Sequence, residues 1–234
     1  MPENNETWRR GAMYTINEAA RYADVSTTTV RRWLSGYDRP SGSHAPPVFG
    51  DNLNQAFVSF LQLIEICVAA RFRHGGTKLE IVSKAHAGAK AKYGIEFPFA
   101  DLQLEPIGGH IVHVIRYLKS HPSVDSPGLF TLPGFMEALD EQDVLPQSVL
   151  AMIEQIEYEG KLAARWYPLG KDNKVVIDPR FASGSPSIKG RGIPIEHIRE
   201  RIKAQQSIGF ICRDLMLSRA QVEDALRYCV QVAA

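Results

Sequence analysis

The chain has 234 residues, is 44% hydrophobic and carries a formal net charge of +1. That is enough apolar material to bury a core in one large domain or two ordinary ones. Three cysteines with no C-x-x-C pair (Cys67, Cys212 and Cys229) argue against a disulfide framework and suit a reducing cytoplasm. The first residues, MPENNETWRR, lack the apolar core of a signal peptide. The longest apolar run, AFVSFLQLIEICVAA, contains Gln62 and Glu65, so no membrane-spanning helix is expected.

The small net charge conceals a segregation. Residues 1–92 hold 12 Lys/Arg against 8 Asp/Glu, residues 93–160 hold 2 against 11, and residues 161–234 hold 13 against 7. Two basic ends flank an acidic middle, which suggests polyanion-binding ends or, more plainly, three solvated surfaces.

At the front, Trp8, Arg9 and Arg10 form an arm that could add a phosphate contact. The segment YTINEAARYADVSTTTVRRWL follows. Thr15 and Glu18 make a T-x-x-E capping box that opens a helix running to about Tyr22. Ser26 caps a second helix over 27–35, which Gly36 stops. Val30, Trp33 and Leu34 share its inward face, leaving Thr27, Thr28, Thr29, Arg31 and Arg32 on the outward and flanking faces. Ala20 sits where the helices cross. Asp24 stands where the corner needs positive φ, a conformation aspartate tolerates. This is helix-turn-helix spacing, and such a helix fits the major groove of DNA. Its threonines would contact bases or phosphates, and its guanidiniums phosphates or guanine. The loop GYDRPSGSHAPPVFG reads as a wing carrying Tyr37 and Arg39 towards the backbone or minor groove, with Val48 and Phe49 as its returning strand.

VSFLQLIEICVAARFR is apolar nearly all round and reads as a central core helix ending at His74-Gly75-Gly76. Thr77 and Glu80 suggest another capping box, opening a helix that Gly94 closes. In the acidic middle, HIVHVIRYL reads as a strand or a short helix, GLFTL as a strand, and the segment around Pro146 as short helices. The cluster Glu137, Asp140, Glu141 and Asp143 reads as solvated surface, or else as a docking surface, rather than a catalytic pair. IEYEGKLAARWYP is a hairpin turning at Glu159-Gly160, and LGKDNKVVIDP adds a third strand to a small meander.

The end of the chain reads as a loop, SIKGRGIPI, and three helices over 195–205, 208–214 and 218–231. The loop lacks the G-K-[ST] of a phosphate loop. Ser218 caps the last helix, and Ser218, Arg219 and Gln221 form a possible second nucleic-acid or partner surface. His110-x-x-His113 has no third ligand at metal-binding spacing, and no nucleophile lies in a recognisable setting. No metal, cofactor or enzymatic activity is expected.

Two resemblances carry the functional expectation. The helix pair, the Pro-containing loop and SFLQLIEICVAARFRHGGTKLEIV resemble the MerR-like winged helix at the front of certain bacterial antitoxins. The C-terminal third is similar to an uncharacterised bacterial domain family with a homeodomain-like trihelical unit. The match rests on Asp178, Pro179, Ser185, Pro186, Ile188, Gly190, Ile193, Pro194, Leu217, Ser218, Gln221, Val222, Ala225, Leu226 and Tyr228. Arg191-Gly192 departs from that family's usual Thr-Arg, and Ser185 stands where the family has Gly or Arg. Together they make the chain resemble a VapB-type antitoxin. The fold class expected is mainly α with small β elements (α+β). A winged helix-turn-helix would span 1–100, an acidic connecting region 101–160, and a hairpin plus trihelical bundle 161–234. The resemblance implies a cytoplasmic homodimer that binds a PIN-domain ribonuclease toxin and represses its own promoter. The alternative is a stand-alone MerR-like regulator responding to a small ligand.

Overall fold

Several helix starts in the described residues are set by hydroxyl side chains. Thr15, Ser26, Ser59 and Ser207 each accept the backbone N–H three residues on, satisfying one of the donors a helix leaves open at its first turn. The structure, a computed structural model, describes residues 6–49, 55–101 and 147–233. Outside them lie HIVHVIRYL, GLFTL, His110 and His113, and the acidic cluster from Glu137 to Asp143.

In chain order, the N-terminal elements are α1 (Thr7–Arg10), β1 (Tyr14–Thr15), α2 (Ile16–Ala23), α3 (Thr27–Ser35), β2 (Tyr37–Asp38), β3 (His44–Ala45), β4 (Phe57–Val58), α4 (Phe60–His74) and α5 (Leu79–Tyr93). Then come α6 (Gln147–Glu154), β5 (Ile156–Glu159), β6 (Leu162–Trp166), β7 (Val175–Val176), a 3-10 turn (Ala182–Gly184) and β8 (Ser187–Ile188). The C-terminal helices are α7 (Ile195–Lys203), α8 (Ile208–Asp214) and α9 (Arg219–Ala233). All four described strand pairs are antiparallel: β1 with β4, β2 with β3, β5 with β6, and β7 with β8. The fold is therefore α+β with a helical majority, as the sequence leads one to expect.

Two apolar clusters hold it together. In the first, α4 is buried on nearly every face and packs against α2, α5, α6 and β6. It draws in Tyr14, Trp33, Ile156, Trp166 and Ile177, so the β5–β6 hairpin packs on the same core as the N-terminal helices. Each Leu, Ile or Phe fully buried there contributes about 1.5–3 kcal/mol. The second cluster joins Val175 and Ile188 to the apolar faces of α7, α8 and α9 through Ile195, Ile198, Ile211 and Val222. Val175 and Ile177 serve different clusters, so one short stretch of chain ties both together.

Several local expectations need correction. The strand returning from the wing is His44–Ala45, not Val48–Phe49. Val48 instead donates its N–H to Trp33 O at 2.8 Å and is buried with the core. Helix α5 starts at Lys78 with no side-chain cap, and Thr77 is buried, its N–H bonded to Phe72 O. The β5–β6 turn is Gly160-Lys161, one residue later than Glu159-Gly160, since Glu159 pairs with Leu162. Gly160 takes φ +66°, which suits the first turn position of a two-residue hairpin loop. Arg9 is not a free arm. It is 3% exposed, pairs with Glu6 at 2.6 Å, and donates to the carbonyls of Glu159 and Leu162, both at 3.1 Å. Arg10 is paired with Glu96.

Candidate nucleic-acid interface

The corner between α2 and α3 is fixed from both sides. Thr15 accepts the Glu18 N–H at 3.2 Å while Glu18 takes the Thr15 N–H at 2.8 Å, a reciprocal capping box. Asp24 adopts φ 55°, ψ 51°, the left-handed region where the sequence has aspartate in place of glycine. Val25 then donates to Ala20 O at 3.0 Å and closes the turn. Ser26 accepts the Thr29 N–H at 3.1 Å, and Thr27 reaches back to Asn17 at 3.1 Å. Two short helices too small to be stable alone are thus locked in one relative orientation.

Helix α3 is amphipathic as its spacing requires. Val30, Trp33 and Leu34 are buried in the first cluster, while Thr28, Arg31 and Arg32 are exposed and Thr27 and Thr29 half-buried. Arg31 has no carboxylate partner among the described residues. Arg32 lies over the Tyr37 ring at 4.8 Å, so helix and wing meet through a cation–π contact. The wing is a tight β2–β3 hairpin in which Arg39 donates its N–H to Ser43 O at 2.9 Å and keeps its side chain exposed. At its base Gly36 has φ +72°, and a Cβ there would lie 2.6 Å from Ala45 O. Only glycine lets the hairpin fold back this closely. Thr28, Arg31, Arg32 and Arg39 form an outward cationic and hydroxyl-bearing surface with no acidic side chain on the α3 part of it.

The residues of the second candidate surface are largely occupied. Ser218 and Gln221 cap each other reciprocally, at 2.8 and 3.2 Å, and Arg219 pairs with Glu223 at 2.7 Å.

Two features escaped the sequence. One is a buried polar network behind the interface. Glu65 and His86 are each 2% exposed and 2.5 Å apart, and Glu65 also accepts the N–H groups of Phe99 and Ala100. The His86 ring sits edge-on to Phe49 and Phe99. This joins α4, α5 and the chain after the wing. The other is the cluster around Asp178, 2% exposed, which takes Arg165 at 2.8 Å and Arg180 at 2.9 Å. Burial opposes its ionisation, but the Arg180 and Arg165 hydrogen bonds prevail and hold the carboxyl below the ordinary aspartate value. Arg180 also lies over Trp8 at 4.6 Å, which fastens α1 to the chain after β7. Beside it, burial and the Glu157 hydrogen bond push the Tyr167 hydroxyl up to about 12. A cavity of about 300 Å³ lies between α2 and the C-terminal helices, against Arg21, Tyr22, Arg199 and Tyr228.

No described helix is long and apolar enough to cross a membrane, and among the described residues no group of three or more His, Cys, Asp or Glu side chains is placed to hold a metal ion. A family model described as "Protein of unknown function (DUF433)" matches residues 175–229, the β7-to-α9 unit. Over nearly its whole length the chain is similar to a protein of Mycobacterium tuberculosis named "Putative antitoxin VapB45". The two are 23% identical over 235 residues, 92% of each chain. It is also 20% identical over 234 residues to the uncharacterised protein Rv2308 of the same organism, covering 92% of this chain and 89% of that one. The crystal structure of Rv2018 from M. tuberculosis superimposes with a TM-score of 0.66 at 22% identity, over 92% of this chain and 98% of that one, so the two share a fold.

Proposed function

We propose that this chain is the antitoxin of a type II toxin–antitoxin pair. It binds and neutralises a PIN-domain ribonuclease, and as a cytoplasmic homodimer it represses its own operon by laying α3 in the major groove of promoter DNA. The observation that carries the DNA part is the outward face of α3, where exposed Thr28, Arg31 and Arg32 back onto a fully buried Val30 and Leu34. Thr27, Thr28 and Thr29 contact bases or phosphates, Arg31 and Arg32 supply the guanidiniums, and Tyr37 and Arg39 of the wing follow the adjacent backbone. A two-fold dimer presents two such helices about 34 Å apart, one turn of duplex. Residues 1–100 serve as the reading unit, 101–160 as the connection and 161–234 as the partner-binding unit. Support for a toxin partner is the similarity to a protein named an antitoxin. The chain performs no catalysis of its own in this reading.

The test has two arms. The purified chain protects a palindromic stretch upstream of its own gene from nuclease, and it co-purifies with a small ribonuclease encoded beside it and silences its RNA cleavage. A neighbouring metabolic operon and no ribonuclease would instead favour a ligand-responsive regulator. The cavity between α2 and the C-terminal helices supports that second reading, because a ligand there would bear directly on the helix that positions α3.

A further inference from the structure

The C-terminal helices repeat the N-terminal corner residue for residue, without insertion. Ser207 stands for Thr15 as N-cap, Ile208 for Ile16, and fully buried Ile211 for fully buried Ala19. Met216 takes φ 51° where Asp24 takes 55°. Leu217 donates to Cys212 O at 2.9 Å as Val25 donates to Ala20 O at 3.0 Å. Ser218 caps α9 through Gln221 as Ser26 caps α3 through Thr29, and Val222 is buried in place of Val30.

The outward faces differ. Where α3 has Arg31 and Arg32, α9 has Glu223 and Asp224. Asp224 is only 8% exposed, because it accepts the Lys174 N–H at 3.0 Å and the chain there covers it. Arg219 and Arg227 are spent on these two carboxylates at 2.7 and 2.8 Å. A helix whose groove-facing positions carry carboxylates, one of them roofed over, cannot follow a phosphate backbone. Nearby, polarity falls instead. Phe210 and Met216 replace Glu18 and Asp24 and are 45% and 75% exposed.

The Lys189-Gly190-Arg191-Gly192 turn adjoins this corner, with the Arg191 guanidinium 3.4 Å from Leu215 O. A Cβ on Gly192 would lie 3.7 Å from the ring of Phe181, which is itself 54% exposed. Behind Phe181 and the turn opens a cavity of about 480 Å³. Its carboxylates, Glu157 and Asp178, are already bound to Arg165 and Arg180. Lys189, over the Tyr167 ring at 4.7 Å, and Arg191 have no carboxylate partner among the described residues. Apolar exposure beside cations that have no carboxylate partner is complementary to an acidic protein segment, not to duplex DNA.

We propose that this face docks an acidic segment of a partner protein. A large apolar side chain of the segment enters the cavity against Phe181, and carboxylates flanking it meet Lys189 and Arg191. The inference is independent of promoter reading by α3. The probe is a fluorescein-labelled, end-blocked ten-residue peptide of Asp and Glu around a central Leu-Phe, titrated with the full chain and followed by anisotropy. Two controls replace its acids with Lys or its Leu-Phe with Ser-Ser. Only the first peptide should bind saturably, with a Kd on the order of 100 μM for so small a contact. Lys189→Glu with Arg191→Glu, or Phe181→Ser alone, should weaken it about tenfold or more with unchanged circular dichroism, while Arg31→Ala with Arg32→Ala should leave it intact. Equal binding of all three peptides, no saturation, indifference to these variants, or displacement of the peptide by duplex DNA from the Arg31/Arg32 variant would overturn the proposal.

Discussion

Gly184 shows how much one position can decide. It has φ +74°, and a Cβ there would lie 2.5 Å from Tyr14 Oη and 2.4 Å from Met13 Sδ, both near the start of the first core. Gly184→Ala should therefore cost more than Gly170→Ala, where φ is +90° but nothing lies within 4 Å. Backbone strain alone is worth about 1–2 kcal/mol, and overpacking adds about 1–3 kcal/mol. Equal urea midpoints for the two variants would contradict this. Asp178 makes a second case. Its carboxyl titrates below the unfolded value, so its contribution to stability is present above that value, about 3.9, and is lost as pH falls through the folded one. Asp178→Asn should be clearly less stable than the parent at pH 7, with the gap closing below about pH 4 as the parent carboxyl protonates. Neither residue announces its role in the sequence. Gly184 lies in a Gly/Ser/Pro-rich loop where glycine needs no special reason, and Asp178 has Arg180 two residues on but gains Arg165 only when the β5–β6 hairpin folds against it. Glu65 is a similar case: along the chain it merely interrupts an apolar run, and its partner His86 is on the next helix.

The short helices were legible because caps and breakers are local. Asp24 closed α2, Ser26 and Gly36 fixed the limits of α3, and Ser218 opened α9, through bonds spanning three to five residues. Ser26→Ala should destabilise the protein by about 1 kcal/mol, read as a lower urea midpoint. It should also weaken promoter binding, since Thr29 would lose its anchor; an unchanged midpoint would show that packing alone holds α3. Errors arose where a local signal competed with tertiary packing. Thr77 could have capped α5, but its burial beneath the end of α4 removes it from that role. Val48 reads as a strand residue and is instead drawn to Trp33. In the β5–β6 hairpin both turns contain Gly160, so the sequence could not choose between them, whereas the pairing of Tyr158 with Ala163 and of Glu159 with Leu162 does; beyond a register shift between Glu157 and Tyr158, Ile156 pairs with Trp166.

Across the molecule, two repeated corners of one geometry have taken opposite surfaces. The N-terminal one presents Thr28, Arg31 and Arg32; the C-terminal one presents Glu223, Phe210 and Met216 and covers Asp224. Segregated charge in the sequence hinted at two basic ends of like kind, but pairing distributes those charges differently: the arginines of α9 are neutralised within the helix, and Arg31 is not. Arg9 links α1 to the hairpin, and Trp166 meets Tyr22 edge-on at 6.1 Å, so the support helix of the first corner rests on the hairpin that leads towards the second. The most direct check is a salt titration of binding to the chain's own promoter, comparing the parent with the Arg31→Ala/Arg32→Ala double variant at matched thermal stability. Binding by the parent should fall steeply with salt, by about 0.9 log units per phosphate contacted for each tenfold increase, and the double variant should lose about tenfold or more in affinity with a slope shallower by about 2. An unchanged affinity and slope in the double variant would show that α3 does not read DNA.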